Sequence, residues 1–290
     1  MSPPEGLLLV DKPSGITSHD VIDHVRRAVG TRKVGHAGTL DPLATGLLLV
    51  GVGRATRLLR FLSDLPKTYE GTAMLGVETD TLDADGIVVR RTDVSVDRSE
   101  LERVVAARVG ESMQTPPAYS AVKVGGRPLH EAARKGEELQ AAARPVVVES
   151  FEVTSFDRET FGFAVTCSSG TYVRVLIADV GAELGAGAHL KRLVRTGIGP
   201  FSVADARAPD APGEPLPVER VVAHLPRLEL DPEEAIAAGH GRVLGPASIE
   251  GPYGVFAPGG RLIGVYRDDG AKARPEVILA SAVDDPGSGH

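Results

Sequence analysis

Residues 35–46 read GHAGTLDPLATG and place one carboxylate, Asp41, in a loop of glycines, small hydroxylated residues and a proline. Pro42 keeps Asp41 out of the helical region, while Gly38 and Gly46 permit backbone angles or close approaches that a side chain would forbid. When ionised, a carboxylate presented in this way can attack an electron-poor carbon. Asp-Pro also starts ordinary turns, so the spacing alone leaves a structural turn as the alternative.

The segments around this loop are those that would hold it in place. Residues 47–53, LLLVGVG, form an apolar run that predicts a buried strand and gives the loop a rigid edge. Residues 6–10 predict a second strand. Thr17 and Asp20 match the start of a helix that continues to Val29 on a helical apolar spacing.

The rest of the chain predicts an α+β fold with a mixed, largely antiparallel sheet and flanking helices. Residues 207–217, RAPDAPGEPLP, are rich in proline and poor in apolar residues, which indicates a linker or domain boundary. We therefore predict a catalytic domain at 1–206, a linker region at 207–227, a small domain at 228–283 and a disordered tail at 284–290.

Composition narrows the function classes. The formal net charge of the 290 residues is −7, yet residues 1–63 hold eight Lys and Arg against five Asp and Glu, and residues 171–204 hold four against two. The basic residues thus collect in the segment that contains the Asp41 loop and in residues 171–204, which permits an RNA-binding face. Cys167, the single cysteine, excludes an intramolecular disulfide and a cysteine-based metal cluster. No segment is long and apolar enough to cross a bilayer, so we expect a cytoplasmic protein.

An ordered series of segments over roughly residues 6–201 resembles the tRNA pseudouridine synthase B family. In chain order the segments are LLLVDKPSGITSHDVI, the loop of Asp41, KTYEGTAMLG, QTPPAYSAVKVGGRPLHEAARKG, SSGTYVRVLIADVGAELG and HLKRLVRTGIGPF. One departure is Leu129 before His130, where the family usually has an aromatic residue after the GGR turn. We expect this to alter packing rather than activity.

The resemblance implies roles for individual residues. Asp41 would be the nucleophile, Tyr69 would contact the target base and Arg174 would pair with the aspartate. Leu193 would line the pocket and His36 would help to hold the rearranged RNA loop. The substrate-binding set also includes Tyr172 and Lys12.

These roles have physical reasons and alternatives. A guanidinium at Arg174 would favour the ionised form of Asp41 and fix its orientation, although a lone arginine is more often at the surface. Tyr69 offers a flat face for a base, and the alternative is ordinary packing in a strand. Leu193 could be a core leucine of a helix. Candidate phosphate contacts, of which only some need touch RNA, are Lys12, Arg26, Arg27, Lys33, Lys191, Arg192 and Arg195.

The implied reaction is isomerisation of uridine to pseudouridine at position 55 in the T-loop of tRNA, on a base turned out of its stack. Attack at C1′, addition to C6 and abstraction of a sugar proton each remain open for the aspartate. We expect no cofactor, because the sequence has neither a phosphate-binding GxxxxGK motif nor a metal-spaced cluster. We also expect a small C-terminal domain of the PUA type that contacts the acceptor stem, no guide RNA, no membrane and a monomer.

Overall fold

A computed structural model describes residues 4–137 and 139–279 of the chain. The predicted tail at 284–290 lies outside these residues. Strands occupy Gly6–Lys12 (β1), Val34–Ala37 (β2), Thr45–Val52 (β3), Lys67–Leu75 (β4), Val77–Thr79 (β5), Val88–Arg91 (β6), Gly110–Gln114 (β7), Lys123–Val124 (β8), Arg127–Pro128 (β9), Arg144–Asp157 (β10), Thr160–Cys167 (β11), Ala188–Ile198 (β12), Phe201–Ser202 (β13), Arg227–Glu229 (β14), Pro252–Phe256 (β15), Leu262–Asp269 (β16) and Lys272–Ile278 (β17). Helices occupy Ser18–Val29 (α1), Leu59–Ser63 (α2), Arg98–Ala106 (α3), Leu129–Arg134 (α4), Val173–Glu183 (α5) and Pro232–Gly239 (α6).

Within the described residues the main sheet has nine strands, in the order β1-β3-β12-β4-β11-β10-β7, with β2 on β3 and β13 on β12. All of its pairs are antiparallel except β3 with β12. This confirms the predicted α+β class with a mixed, largely antiparallel sheet. The β3–β12 pair matters for the site, because it brings Gly46 opposite Arg195.

Helix α1 forms where the sequence predicts it. Thr17 caps its first turn through a reciprocal hydrogen-bond pair with Asp20, and Gly30 ends it in a left-handed conformation. Its buried face, which includes Val21 and Val25, packs on one face of β1 and β3. The helix therefore supports these strands from behind.

Strand β12 contains Leu193, for which the sequence analysis considered a position in a helix as the alternative. Residues 188–198 form an extended strand between β3 and β4, so Leu193 is a strand residue and not a residue of a helix. Its neighbours Lys191 and Arg192 are exposed, whereas Leu193 is buried. An irregularity in the β12–β4 register between Leu190 and Arg192 interrupts the alternation of faces, so two successive side chains are exposed before Leu193 faces the core.

A separate four-stranded sheet, β14-β15-β16-β17, forms the C-terminal part. Phe256 and Leu262 from this sheet share a hydrophobic cluster with Leu7 and Leu47 of the main sheet. Residues 207–217 lie along β1, where Leu216 and Leu7 exchange two backbone hydrogen bonds. The C-terminal sheet is thus packed on the strands that carry the Asp41 loop.

In the described part of the chain, no helix is both long and apolar enough to span a membrane. Cys167 is buried in β11, as expected for a small core residue.

Candidate active site

Asp41 lies in the loop between β2 and β3, with its side chain 40% exposed. The apolar residues on either side behave differently: Leu40 and Ala44 are 4% and 1% exposed and belong to the main core. Burial of these two anchors leaves the carboxylate at the edge of the core, within reach of solvent. The loop is therefore anchored in the core and presents one accessible side chain, so it is not an independent surface turn.

The segment between β1 and α1 holds this loop from one side. Lys12 is fully buried, and its Nζ donates to the carbonyl oxygens of Pro42 (3.2 Å) and Ala44 (2.7 Å). The Oγ of Ser18 accepts a hydrogen bond from the backbone N–H of Leu40 (2.9 Å) and donates to its carbonyl oxygen (3.2 Å). These contacts satisfy backbone groups immediately before and after Asp41.

Burial lowers the pKa of Lys12. Desolvation is the main cause that lowers the pKa of its ammonium to about 8, and the charge of Arg195 adds to it, while Asp41 acts in the opposite direction. This position differs from the expected phosphate contact, because an ammonium enclosed by loop carbonyls has no access to RNA. The geometry instead assigns Lys12 to holding the loop.

Arg174 brings three segments together at Asp41. It is 3% exposed and lies in the first turn of α5, and its Nε lies 2.9 Å from Oδ2 of Asp41. Its other nitrogens donate to the carbonyl oxygens of Thr81 (2.8 Å) and Tyr119 (3.0 Å). Because the guanidinium is fixed by backbone groups on two sides, it offers a rigid positive partner to the carboxylate.

Asp83 is a further part of this network that the sequence analysis missed. It is 5% exposed, and its Oδ2 lies 3.5 Å from Nη1 of Arg174. Its Oδ1 accepts hydrogen bonds from the hydroxyl of Thr81 (2.6 Å) and the N–H of Asp85 (3.2 Å). Asp83 begins the stretch DADG, which by itself predicts only a tight turn, and the contact with β12 that buries it comes from a distant part of the chain.

The environment of Asp41 sets its proton affinity. Burial raises the pKa of this carboxyl above its ordinary value, and the negative charge of Asp83 acts in the same direction. The guanidinium of Arg174 and the ammonium of Lys12 oppose the rise. Asp41 is thus a carboxylate with raised basicity beside a fixed cation, which suits a nucleophile that must also release its product.

Tyr69 lies on β4, in the same core cluster as Leu40, Ala44 and Leu193. It is 8% exposed, and burial raises the pKa of its hydroxyl, while the charge of Arg195 acts against the rise. The charge of Asp41 also acts on this hydroxyl. The structure therefore brings Tyr69 and Leu193 next to the Asp41 loop.

The remaining predicted residues are placed less directly. His36 lies on β2 and is half-buried, with its Nδ1 enclosed and unpaired among the described residues. Burial lowers the pKa of its imidazole, which favours the neutral form. Tyr172 precedes α5 and exchanges hydrogen bonds with Gln114, and its ring packs against Arg144. These contacts involve residues of β7 and β10 and not the Asp41 loop.

The candidate phosphate contacts divide into two groups. Arg27, Lys33, Lys191 and Arg192 are exposed, and Arg26 is half-buried. Arg195 is 1% exposed, so, like Lys12, it cannot be the expected phosphate contact. The guanidinium of Arg195 therefore interacts with groups inside the protein.

Two negative results concern the described residues. No group of three or more His, Cys, Asp and Glu is arranged there to hold a metal ion. A cavity of about 350 Å³ is lined by residues at the ends of β4 and β6. Neither Asp41 nor Arg174 lines this cavity.

Comparison with known proteins gives concordant matches. Residues 26–173 match the family described as TruB family pseudouridylate synthase (N terminal domain), and residues 225–280 match tRNA Pseudouridine synthase II, C terminal. Proteins named tRNA pseudouridine synthase B from Mycobacterium sp. (strain KMS) and Thermobifida fusca (strain YX) are each 44% identical to this chain. The first alignment covers 96% of this chain and 97% of that protein, and the second 96% and 99%.

A solved structure shares the fold. A chain of the structure titled "Crystal Structure of a Cbf5-Nop10-Gar1 Complex" superposes with a TM-score of 0.72 at 25% identity, over 94% of this chain and 84% of that chain.

Proposed function

This chain is a member of the TruB family of pseudouridylate synthases, and we propose that it converts uridine to pseudouridine at position 55 in the T-loop of tRNA, with Asp41 as nucleophile. The observation that carries the proposal is the 2.9 Å ion pair between the accessible carboxylate of Asp41 and the buried guanidinium of Arg174. The curated relatives, which match over nearly their whole length, are named for tRNA. A tRNA substrate implies action in the cytoplasm.

The reaction breaks the C1′–N1 bond, turns the uracil, joins C5 to C1′ and moves a proton from C5 to solvent while N1 gains one. Attack at C1′, addition to C6 and abstraction of a sugar proton all require an ionised Asp41. Arg174 favours that form and limits the directions from which the carboxylate can approach the ribose. The balanced reaction consumes no second substrate, so we propose that no cofactor takes part.

The target base must leave its stack to reach Asp41, at a cost of a few kcal/mol. We propose that Tyr69 and Leu193, which belong to the core cluster beside the loop, receive the uracil. Their side chains offer apolar area next to the carboxylate. His36, which is half-buried on β2, would then help to hold the rearranged RNA loop. Tyr172 would act at the margin of this surface.

We also propose the domain division of the sequence analysis. It comprises a catalytic domain at 1–206, a linker region at 207–227 and a small RNA-binding domain of the PUA type at 228–283. The exposed basic residues Lys191, Arg192, Arg27 and Lys33 are the proposed phosphate contacts. We expect a monomer that acts on tRNA without guide RNA or protein partners.

The experiment incubates the purified chain with two tRNA transcripts that differ only in having uridine or cytidine at position 55. We expect pseudouridine at position 55 of the first transcript. The second transcript should release no tritium when its uridines are labelled at C5, and mapping should find no pseudouridine in it. Modification at another position would refute the assigned site. Binding without product would favour the alternative, an RNA-binding or RNA-folding protein with an inactive site, and a requirement for an added guide RNA would favour a guided enzyme.

A further inference from the structure

Arg195 is a charged side chain in an unusual place. It is 1% exposed and is among the largest fully buried side chains of the chain. Among the described residues, no carboxylate lies within ion-pair distance of its guanidinium. Burial of an unpaired cation is unfavourable, and an apolar residue of similar size would avoid the cost. A cation in such a site therefore calls for a reason other than packing.

The hydrogen bonds of Arg195 point to the Asp41 loop. Its Nε donates to the carbonyl oxygen of Leu47 (2.7 Å), Nη1 to that of Thr39 (3.3 Å) and Nη2 to that of Gly38 (3.2 Å). Two of these carbonyls precede Asp41 and one follows it. A single planar group thus links both ends of the loop, and the more compact ammonium of lysine cannot span the three acceptors.

The same residue also lies against Tyr69. In the β12–β4 pair Arg195 is directly opposite Tyr69, and in the β12–β3 pair it is opposite Gly46. Residues directly opposite each other in a sheet extend on the same face, and the charge of Arg195 acts to lower the pKa of the Tyr69 hydroxyl. Arg195 therefore bonds to the loop that carries the carboxylate and is the cross-strand neighbour of the tyrosine that lies beside it.

We propose that Arg195 is a positioning residue, which sets the carboxylate of Asp41 and the ring of Tyr69 at a fixed separation for the isomerisation. This inference rests on the proposed function. It assigns Arg195 no contact with RNA. Together these contacts hold the Asp41 loop although its carboxylate is accessible: Lys12 and Ser18 bond to the middle of the loop, and Arg195 bonds to its two ends.

A positioning role has a kinetic signature. Small displacements of a reacting group can lower a rate by about 100-fold without a change in binding. Loss of Arg195 should therefore lower kcat and leave KM nearly unchanged, whereas loss of a phosphate contact would raise KM and reduce the salt dependence of binding.

The test compares Arg195→Lys with Arg98→Lys, a matched exchange at an exposed arginine of α3. We expect Arg195→Lys to lower kcat on tRNA by about 100-fold with KM within about twofold of wild type. Hydrogen exchange of the RNA-free protein should be faster in residues 38–47 of this variant and unchanged in α3. Arg98→Lys should match wild type in each measurement.

Tyr69→Phe supplies a coupling test. If Arg195 acts partly through the phenol, the cost of Arg195→Lys should be smaller in a Tyr69→Phe background than in wild type. A strictly additive pair would overturn the Tyr69 part of the proposal. Unchanged kcat together with unchanged exchange in residues 38–47 would overturn all of it.

A structure of the wild-type protein with a tRNA stem-loop covers the case in which Arg195→Lys does not fold. We expect the guanidinium to keep its bonds to Gly38, Thr39 and Leu47, and rotation toward an RNA phosphate would contradict the proposal. These failures differ from failure of the proposed function, in which the wild-type protein itself forms no pseudouridine. In that case the exchange measurement still decides the positioning role.

Discussion

The Nε atom of Arg174 lies 2.9 Å from Oδ2 of Asp41, although the arginine side chain is 4% exposed and the aspartate side chain 40%. A buried cation thus meets an accessible anion at the edge of the core. This relationship combines a fixed partner with a reactive group that a substrate can reach. The predictions below examine the contacts that maintain it.

Arg174→Lys keeps the positive charge but loses the geometry, because one ammonium cannot reach Asp41 and the carbonyls of Thr81 and Tyr119 together. We expect turnover to fall by about 100-fold and the affinity for tRNA to change by less than about threefold. Single-turnover rates and equilibrium binding measure the two effects. Equal losses in rate and affinity would instead indicate that Arg174 contacts a phosphate.

Asp83→Asn removes one of the charges that raise the pKa of Asp41. A lower pKa keeps Asp41 ionised to lower pH, so the acid limb of the single-turnover rate should move to lower pH. The rate at neutral pH should fall by about tenfold, because Arg174 loses a partner that fixes it. Asp85→Asn, at an exposed carboxylate in the same turn, is the control. An acid limb that stays in place would separate Asp83 from the titration of Asp41.

Lys12→Gln tests the reassignment of Lys12 from RNA contact to loop support. The variant loses hydrogen bonds to the carbonyls of Pro42 and Ala44, so turnover should fall while tRNA affinity is retained. A plot of log affinity against log salt should keep its slope, whereas loss of a phosphate contact would reduce the slope by about 0.7–0.9. Lys123→Gln, at an exposed lysine of β8, is the matched control.

Gly46→Ala tests the close approach between β3 and β12. Gly46 has a φ of 99°, and an added Cβ would lie 2.4 Å from the carbonyl oxygen of Arg195. Gly15 has a φ of 86° with nothing within 4 Å of a Cβ, so Gly15→Ala measures backbone strain alone, about 1–2 kcal/mol. We expect Gly46→Ala to lower the free energy of unfolding by a further 1–3 kcal/mol or so. Equal urea midpoints for the two variants would contradict the packing described.

Local signals made much of this arrangement predictable. The exchange of hydrogen bonds between Thr17 and Asp20 is visible as a sequence pattern, so α1 was predicted to the residue. The apolar run after the loop likewise predicted β3. Asp41 stood out because glycines and a proline surround it, and its pairing with Arg174 was implied by family resemblance.

Non-local burial accounts for what the sequence did not reveal. Asp83 resembles any turn aspartate until β12 covers it. Lys12 and Arg195 resemble surface cations, and only the packing of β1, β3, β4 and β12 shows that both are enclosed. Leu193 follows Lys191 and Arg192, a pattern that does not distinguish a strand from a helix. In each case the deciding neighbours are distant in the chain.

The most direct test of the account compares wild type with Asp41→Asn on one tRNA transcript, with pseudouridine and binding measured separately. We predict that the variant binds tRNA with nearly wild-type affinity and forms pseudouridine at least about 10³-fold more slowly. Normal turnover by Asp41→Asn would contradict the assignment of Asp41 as nucleophile.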